Sequence, residues 1–272
     1  MGGIEKKKIW TGFLIAPALL ALIAWGPSLT LPLMVLIATF LGLREFYTLA
    51  LPRSKTIERV IGITSGLILN FLLAFGNLER TPLFLVLILL LLLVLSMGVS
   101  ETLATTVTRV AVSLFGILYI GFLLSYVSLI RALPDGKVWA LFLIVTVWAG
   151  DIFAFSSGSL LGRHKLYPKI SPKKTYEGLI GGILGSILLA TAFALLFLPG
   201  VNTRTCALLA VGMGVFGQMG DFSESMLKRS AQVKDSGNLI PGHGGMLDRI
   251  DSFLFASPFL YYSLVYHVKG TP

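Results

Sequence analysis

The sequence predicts an all-α fold: a polytopic, integral membrane helical bundle of about nine transmembrane helices, with its amino terminus in the cytoplasm. Three observations predict it. Of 272 residues, 55% are hydrophobic and only 13% charged, whereas a soluble domain is about a quarter charged; mean hydropathy is +0.86. Apolar runs of about 20 residues recur along the chain, the length a helix needs to cross a bilayer with its backbone satisfied internally. The basic residues are also distributed unevenly among the intervening loops, as the positive-inside rule requires of a membrane protein.

Taken in order, the spans run 9–25, 29–50, 59–75, 82–98, 109–131, 138–161, 176–198, 205–227 and 250–268, separated by short polar or Gly/Pro stretches. The first follows KKKIW and resembles a secretory leader. It is longer than a leader's apolar core and no small-x-small cleavage site ends it, so it reads as a retained span. The fourth, FLVLILLLLLVLSM, is nearly uniform in leucine-type residues and is expected to face lipid. The seventh contains GLIGGILGS, Gly178 to Ser186, with small residues spaced to let helices approach closely. Such faces also suit a homodimer. With the amino terminus inside, 17 of the 22 Lys/Arg fall on the cytoplasmic side and 5 outside. Two polar loops, 162–175 and 228–249, then share the cytoplasmic face. We divide the chain into 1–140, a region of membrane helices without motifs, and 141–272, which carries both loops.

Charge and cysteine content exclude several classes. The net charge of +9 in a membrane protein reflects loop orientation and anionic headgroups; with no soluble basic domain, no nucleic-acid partner is expected. The single cysteine, Cys206, excludes an intrachain disulfide framework and a multi-cysteine zinc site. Gly212-Met213-Gly214-Val215-Phe216-Gly217 fits G-x-G-x-x-G, but it lies within a span and lacks the preceding strand that dinucleotide binding needs. Helix packing accounts for these glycines.

The chemistry concentrates between Gly220 and Asp251, where four aspartates, a glutamate, four Lys/Arg, a histidine and several glycines interrupt the apolar sequence. Ionisable residues at a membrane are costly and usually functional. Asp221, Ser225 and Lys228 recur at i, i+4 and i+7, on one helical stripe, beside Glu224 and Arg229. Asp248 and Asp251, three apart, share a face of the last span. Folding the loop back brings these carboxylates together, which suits a hard divalent cation and the phosphates it bridges. The glycines of Pro241-Gly242-His243-Gly244-Gly245 permit positive φ and close approach of backbone N–H groups to an anion. A second polar stretch, Gly150 to Gly178, holds Asp151 and then Lys173 and Lys174 in a basic loop that leads to a helix start near Glu177.

These residues resemble the phosphatidate cytidylyltransferase (CDP-diacylglycerol synthase) family. Ser225, Lys228, Arg229, Lys234, Asp235, Gly237, His243, Gly244, Gly245, Asp248, Arg249 and Asp251 match its pattern in order and spacing. Gly220-Asp221 and the stretch from Ile170 to Gly178 also resemble it. Phe155, Ser156 and Ser157 depart from a more aromatic run there, which touches packing more than chemistry. The resemblance implies an enzyme of phospholipid biosynthesis that converts CTP and phosphatidate to CDP-diacylglycerol and pyrophosphate. It implies Mg²⁺ on Asp221 and Asp248, with Asp251 a further ligand or a second-cation site. Lys228, Arg229, Lys234 and Arg249 would bind phosphate, Ser225 would accompany them, and His243, Gly244 and Gly245 would shape the nucleotide pocket. Lys173, Lys174 and Asp151 would complete its wall. The implied location is the bacterial cytoplasmic (inner) membrane, with the site facing the cytoplasm and membrane lipids as partners. A secondary transporter of an anionic solute is the alternative, but a transporter should pair its features in both halves, and these charges cluster at one edge of one half.

Overall fold

A computed structural model describes residues 17–51, 56–76, 78–99, 103–237 and 244–268. The helical segments are α1 (17–25), α2 (Thr30–Ala50), α3 (Thr56–Ala74), α4 (Thr81–Val99), α5 (Thr106–Ala132), α6 (Gly136–Leu161), α7 (Tyr176–Phe197), α8 (Thr203–Ser230) and α9 (Leu247–Ser263). They match the nine apolar runs in order, and the fold is a helical membrane bundle. Six of them, α2, α3, α5, α6, α7 and α8, are long and apolar enough to cross a membrane. Among the described residues, six of the nine expected spans have that length and apolarity. The apolar part of α4 is shorter, Thr81–Met97, α9 opens on Asp248, Arg249 and Asp251, and α1 is described only over 17–25.

The helix boundaries have local causes. The Thr175 hydroxyl accepts from Gly178 N–H at the start of α7, with Glu177 in the first turn, and Asn202 caps α8 through Arg204 N–H; both satisfy backbone donors that a helix start leaves open. The α4 helix buries Ile88 and Leu92 while Leu83, Val86, Leu87, Leu90 and Val94 stay exposed, the lipid-facing disposition that its composition predicts. Residues Ile117–Phe122 of α5 form a π-helical turn.

Glycine decides how closely the second half packs. A Cβ on Gly185 would lie 2.3 Å from the Phe153 ring, and one on Gly181 2.0 Å from Ser157 Oγ. The GLIGGILGS face is therefore spent on α6, within this chain. Ser157, one of the residues departing from the family pattern, has that packing role. Gly212 abuts Phe259, and a Cβ on Gly220 would lie 2.3 Å from Asp251 O. The glycines of the G-x-G-x-x-G match are accordingly helix contacts of α8, Gly212 and Gly217 with α9 and Gly214 with Ile183 and Ser186 of α7.

One element departs from a purely helical reading. Residues Lys165–Tyr167 (β1) and Ser171–Thr175 (β2) pair antiparallel, Lys165 opposite Thr175 and Tyr167 opposite Ser171. The turn is Tyr167-Pro168-Lys169-Ile170, closed by Ile170 N–H to Tyr167 O at 3.2 Å, with proline where a β-turn favours it. The short strands alternate no apolar residues, so hydropathy alone gives no sign of them.

Ends predicted to share one side of the membrane do meet. The Glu58 carboxylate at the start of α3 pairs with Arg109 near the start of α5 at 3.2 Å. The end of α2 reaches the segment before α9 through Glu45, and Arg229 at the end of α8 donates to Ile170 O in the hairpin turn at 3.2 Å.

Candidate active site

The site is assembled at that shared end from α6, the hairpin, α8 and the start of α9. The hairpin projects Lys174 onto α8, where its Nζ lies 2.6 Å from Asp221 Oδ2 and 4.1 Å from the centre of the Phe222 ring. The two polar stretches of the sequence thus touch. Beside this contact is a cavity of about 510 Å³ whose lining includes Asp151, Lys165, Lys173, Lys174, Gln218 and Asp221. Its wall combines cationic side chains, carboxylates and the glycine-thinned faces of α6 and α7.

Asp151 and Asp221 in the cavity wall and Glu224 and Asp251 behind it form one electrostatic neighbourhood. Mutually repelling carboxylates in a low-dielectric site are compensated by nearby cations or by holding a proton. Lys174 supplies one such charge, and Lys228 supplies a second. The Lys228 ammonium bridges Glu224, which is fully buried, and Asp248. Arg249 lies near Asp151. Ser225 donates to Asp221 Oδ1 at 3.4 Å, on the same stripe of α8 as its i, i+4 spacing predicts.

Asp248 is held by a different set of partners from Asp221. Its Oδ1 accepts from Lys228, and its Oδ2 accepts from Ser236 N–H, Ser236 Oγ–H and Gly245 N–H at 3.0, 2.8 and 2.8 Å. Burial pushes this carboxyl upward, but Lys228 and the two backbone donors outweigh it and hold the group down at about 2. Asp248 therefore carries its charge as the anchor of the loop. Gly244 adopts φ +79°, as its type allows, and a Cβ there would lie 2.7 Å from Asp248 Oδ2.

The remaining expected residues are dispersed around this centre. Arg229 is committed to Ile170 O and, at 3.0 Å, to Val233 O, fastening the hairpin to the chain that follows α8. Lys234 is exposed. His243 lies outside the described residues. Among the described residues no three His, Cys, Asp or Glu side chains are grouped at metal-holding spacing. The donor chemistry still fits Mg²⁺, which takes hard oxygen ligands and is ordinarily bound through one or two carboxylates plus substrate phosphates.

Two residues of the first half join the site without having been singled out in the sequence. Glu45, at the end of α2, accepts from Met246 N–H, Leu247 N–H and Ser236 Oγ–H. The available signal was an acid within an otherwise apolar run. Tyr119, in the π-helical turn, is buried, stacks on Phe115 at 5.1 Å and neighbours Asp251, Glu224 and Asp221. Its hydroxyl finds no hydrogen-bond partner among the described residues.

Fold and site together define a polytopic helical membrane protein with a polar, charge-paired pocket opening at one end of the bundle. A family model described as the Cytidylyltransferase family matches residues 6–267, and the chain belongs to that family. It is 47% identical over 148 residues to the phosphatidate cytidylyltransferase of Bacillus subtilis (strain 168), covering 54% of this chain and 55% of that protein. It is 41% identical over 155 residues to the enzyme of the same name from Staphylococcus epidermidis (strain RP62A), covering 57% and 59%. These two matches span little more than half the length of those relatives. The phosphatidate cytidylyltransferase of Synechocystis sp. (strain PCC 6803) is 36% identical over 93% of both chains.

Proposed function

We propose that this protein is a phosphatidate cytidylyltransferase, converting CTP and phosphatidate to CDP-diacylglycerol and pyrophosphate at the cytoplasmic face of a bacterial inner membrane. The observation that carries the reading is the contact of Lys174 with Asp221 at the edge of a basic and acidic cavity. A triphosphate needs cations for its oxygens and carboxylates for the divalent ion it brings, and this pocket presents both. Phosphatidate and CTP are the class of substrates carried by the relatives' names.

In the reaction, a phosphate oxygen of phosphatidate attacks the α-phosphorus of CTP. A new P–O bond forms as the bond to the β-phosphate breaks, and pyrophosphate leaves with its electron pair. The attacking phosphate is already anionic at neutral pH, so positioning and charge neutralisation supply the catalysis rather than a strong base. Lys173 and Lys174 are assigned to the nucleotide phosphates, and Lys228 to the side of the site nearest Asp248. Asp221 and Asp251 are the carboxylates that would hold Mg²⁺ brought by the nucleotide. The ion, when bound, would neutralise charge on the departing pyrophosphate. Asp248, expected in the same ligand set, has both oxygens engaged and would join only on releasing Lys228.

The test is to incubate the purified protein in detergent with CTP labelled in its α-phosphate, phosphatidate and Mg²⁺. Label that becomes lipid-soluble only when all are present supports the reaction. If no such label appears, but the protein carries an anionic solute across liposomes without CTP, the reading is replaced by transport.

A further inference from the structure

We propose that Glu45 is a positioning residue for the nucleotide site, acting from the first half of the chain through the segments on either side of residues 238–243. Its place there rests on the proposed cytidylyl transfer; the clamp itself rests on geometry alone. Glu45 Oε1 accepts from Met246 N–H at 2.8 Å, and Oε2 accepts from Leu247 N–H at 2.9 Å and Ser236 Oγ–H at 2.8 Å. Ser236 also donates its backbone N–H to Asp248 Oδ2, and its hydroxyl, with one proton to share, lies 2.8 Å from Asp248 Oδ2 as well as from Glu45 Oε2. One carboxylate in α2 thus grips the chain before the glycine-rich segment and after it, and reaches Asp248 through a single serine.

The fit is close on both sides. A Cβ on Gly237 would lie 2.7 Å from Glu45 Oε1, and one on Gly245 2.3 Å from Glu45 Oε2 and 2.2 Å from Ser236 Oγ. Both glycines are thereby explained by the volume of the glutamate between them. Two of the donors are backbone N–H groups at the start of α9, the cap residue Met246 and Leu247, which need an acceptor because no intrahelical carbonyl reaches them. A carboxylate accepts from all three donors at once. A carboxamide presents one acceptor oxygen, and its NH₂ faces a donor.

Glu45→Gln should accordingly release the clamp while preserving size. We expect amide exchange at 244–247 to quicken, and the KM for CTP to rise by about 10- to 100-fold, the range typical when a group that orients a site is lost. The KM for phosphatidate should change less than twofold. A residue needed only for folding would instead lower kcat by reducing the active fraction, with both KM values unchanged. If Glu45→Gln does not fold, Ser236→Ala removes the bridge between Glu45 and Asp248 and should shift the KM for CTP in the same direction by a smaller factor. Unchanged exchange together with a CTP KM within twofold of wild type overturns the proposal. Faster exchange with unaltered kinetics overturns the positioning role. A wild-type protein that turns over no CTP, yet shows the exchange difference, sinks the proposed reaction and supports the clamp.

Discussion

Asp221 and Asp248 share a side-chain chemistry and differ in what holds them, so replacing each should fail differently. Asp221 is paired with one rim lysine and is 28% exposed. Asp221→Asn should abolish CTP turnover with a change in stability of no more than about 0.5 kcal/mol, the usual size of an effect outside the packed core. Asp248→Asn disturbs four hydrogen bonds and should cost turnover and about 1–3 kcal/mol as well, because buried donors lose a charged acceptor. Lys228→Met is harsher: it leaves Glu224 buried without its cation, a loss of about 3–5 kcal/mol. Unfolding in detergent measured beside turnover separates these cases, and near-normal Mg²⁺-dependent activity in Asp221→Asn removes that residue from the site. The carboxylates of α8 and α9 and Lys228 were legible in the sequence because a charge within apolar sequence demands a reason. Tyr119 was not, since a phenol in an apolar run reads as core until the fold turns it toward three carboxylates.

At the scale of elements, the sequence announced the helices and a close-packing face on α7, but not the hairpin. Glycine every few residues predicts close approach without naming the partner, and within the chain Gly181 and Gly185 lie against Ser157 and Phe153 of α6. Gly185→Leu should therefore force α7 off Phe153 and cost about 1–3 kcal/mol, as overpacking does. Gly200→Ala, with nothing within 4 Å of the added carbon, should change stability by less than about 0.5 kcal/mol. Thermal unfolding in detergent reads both. The hairpin was illegible because its strands are short and mostly polar, and only the proline of its turn signals it. Its lysines test its purpose. Lys173→Gln with Lys174→Gln together should lower turnover at least about tenfold, by losing charge-assisted contacts of about 1.5–3 kcal/mol each, and leave orientation unchanged. Full activity in the double variant would reduce these lysines to topological markers.

For the whole molecule, orientation is the property on which the nucleotide supply depends, since CTP does not cross lipid unaided. Cys206 is fully buried, so it cannot serve as the reporter. Exposed Lys234 and Asn202 can, as Lys234→Cys and Asn202→Cys in a Cys206→Ser background. A membrane-impermeant thiol reagent added to intact cells should reach position 202 and not 234, with the reverse in inverted vesicles. Labelling of 234 from outside would place the pocket on the wrong side for CTP. The bond from Leu247 N–H to Glu45, across 202 residues of sequence, has a further consequence for biogenesis. Helices enter the bilayer in the order in which they are made, so α2 waits through the synthesis of every later span before its carboxylate meets the last one. The pocket is then completed only once α9 is in place, and a nascent chain stalled before α9 would hold Lys174, Lys228 and Asp221 without the clamp.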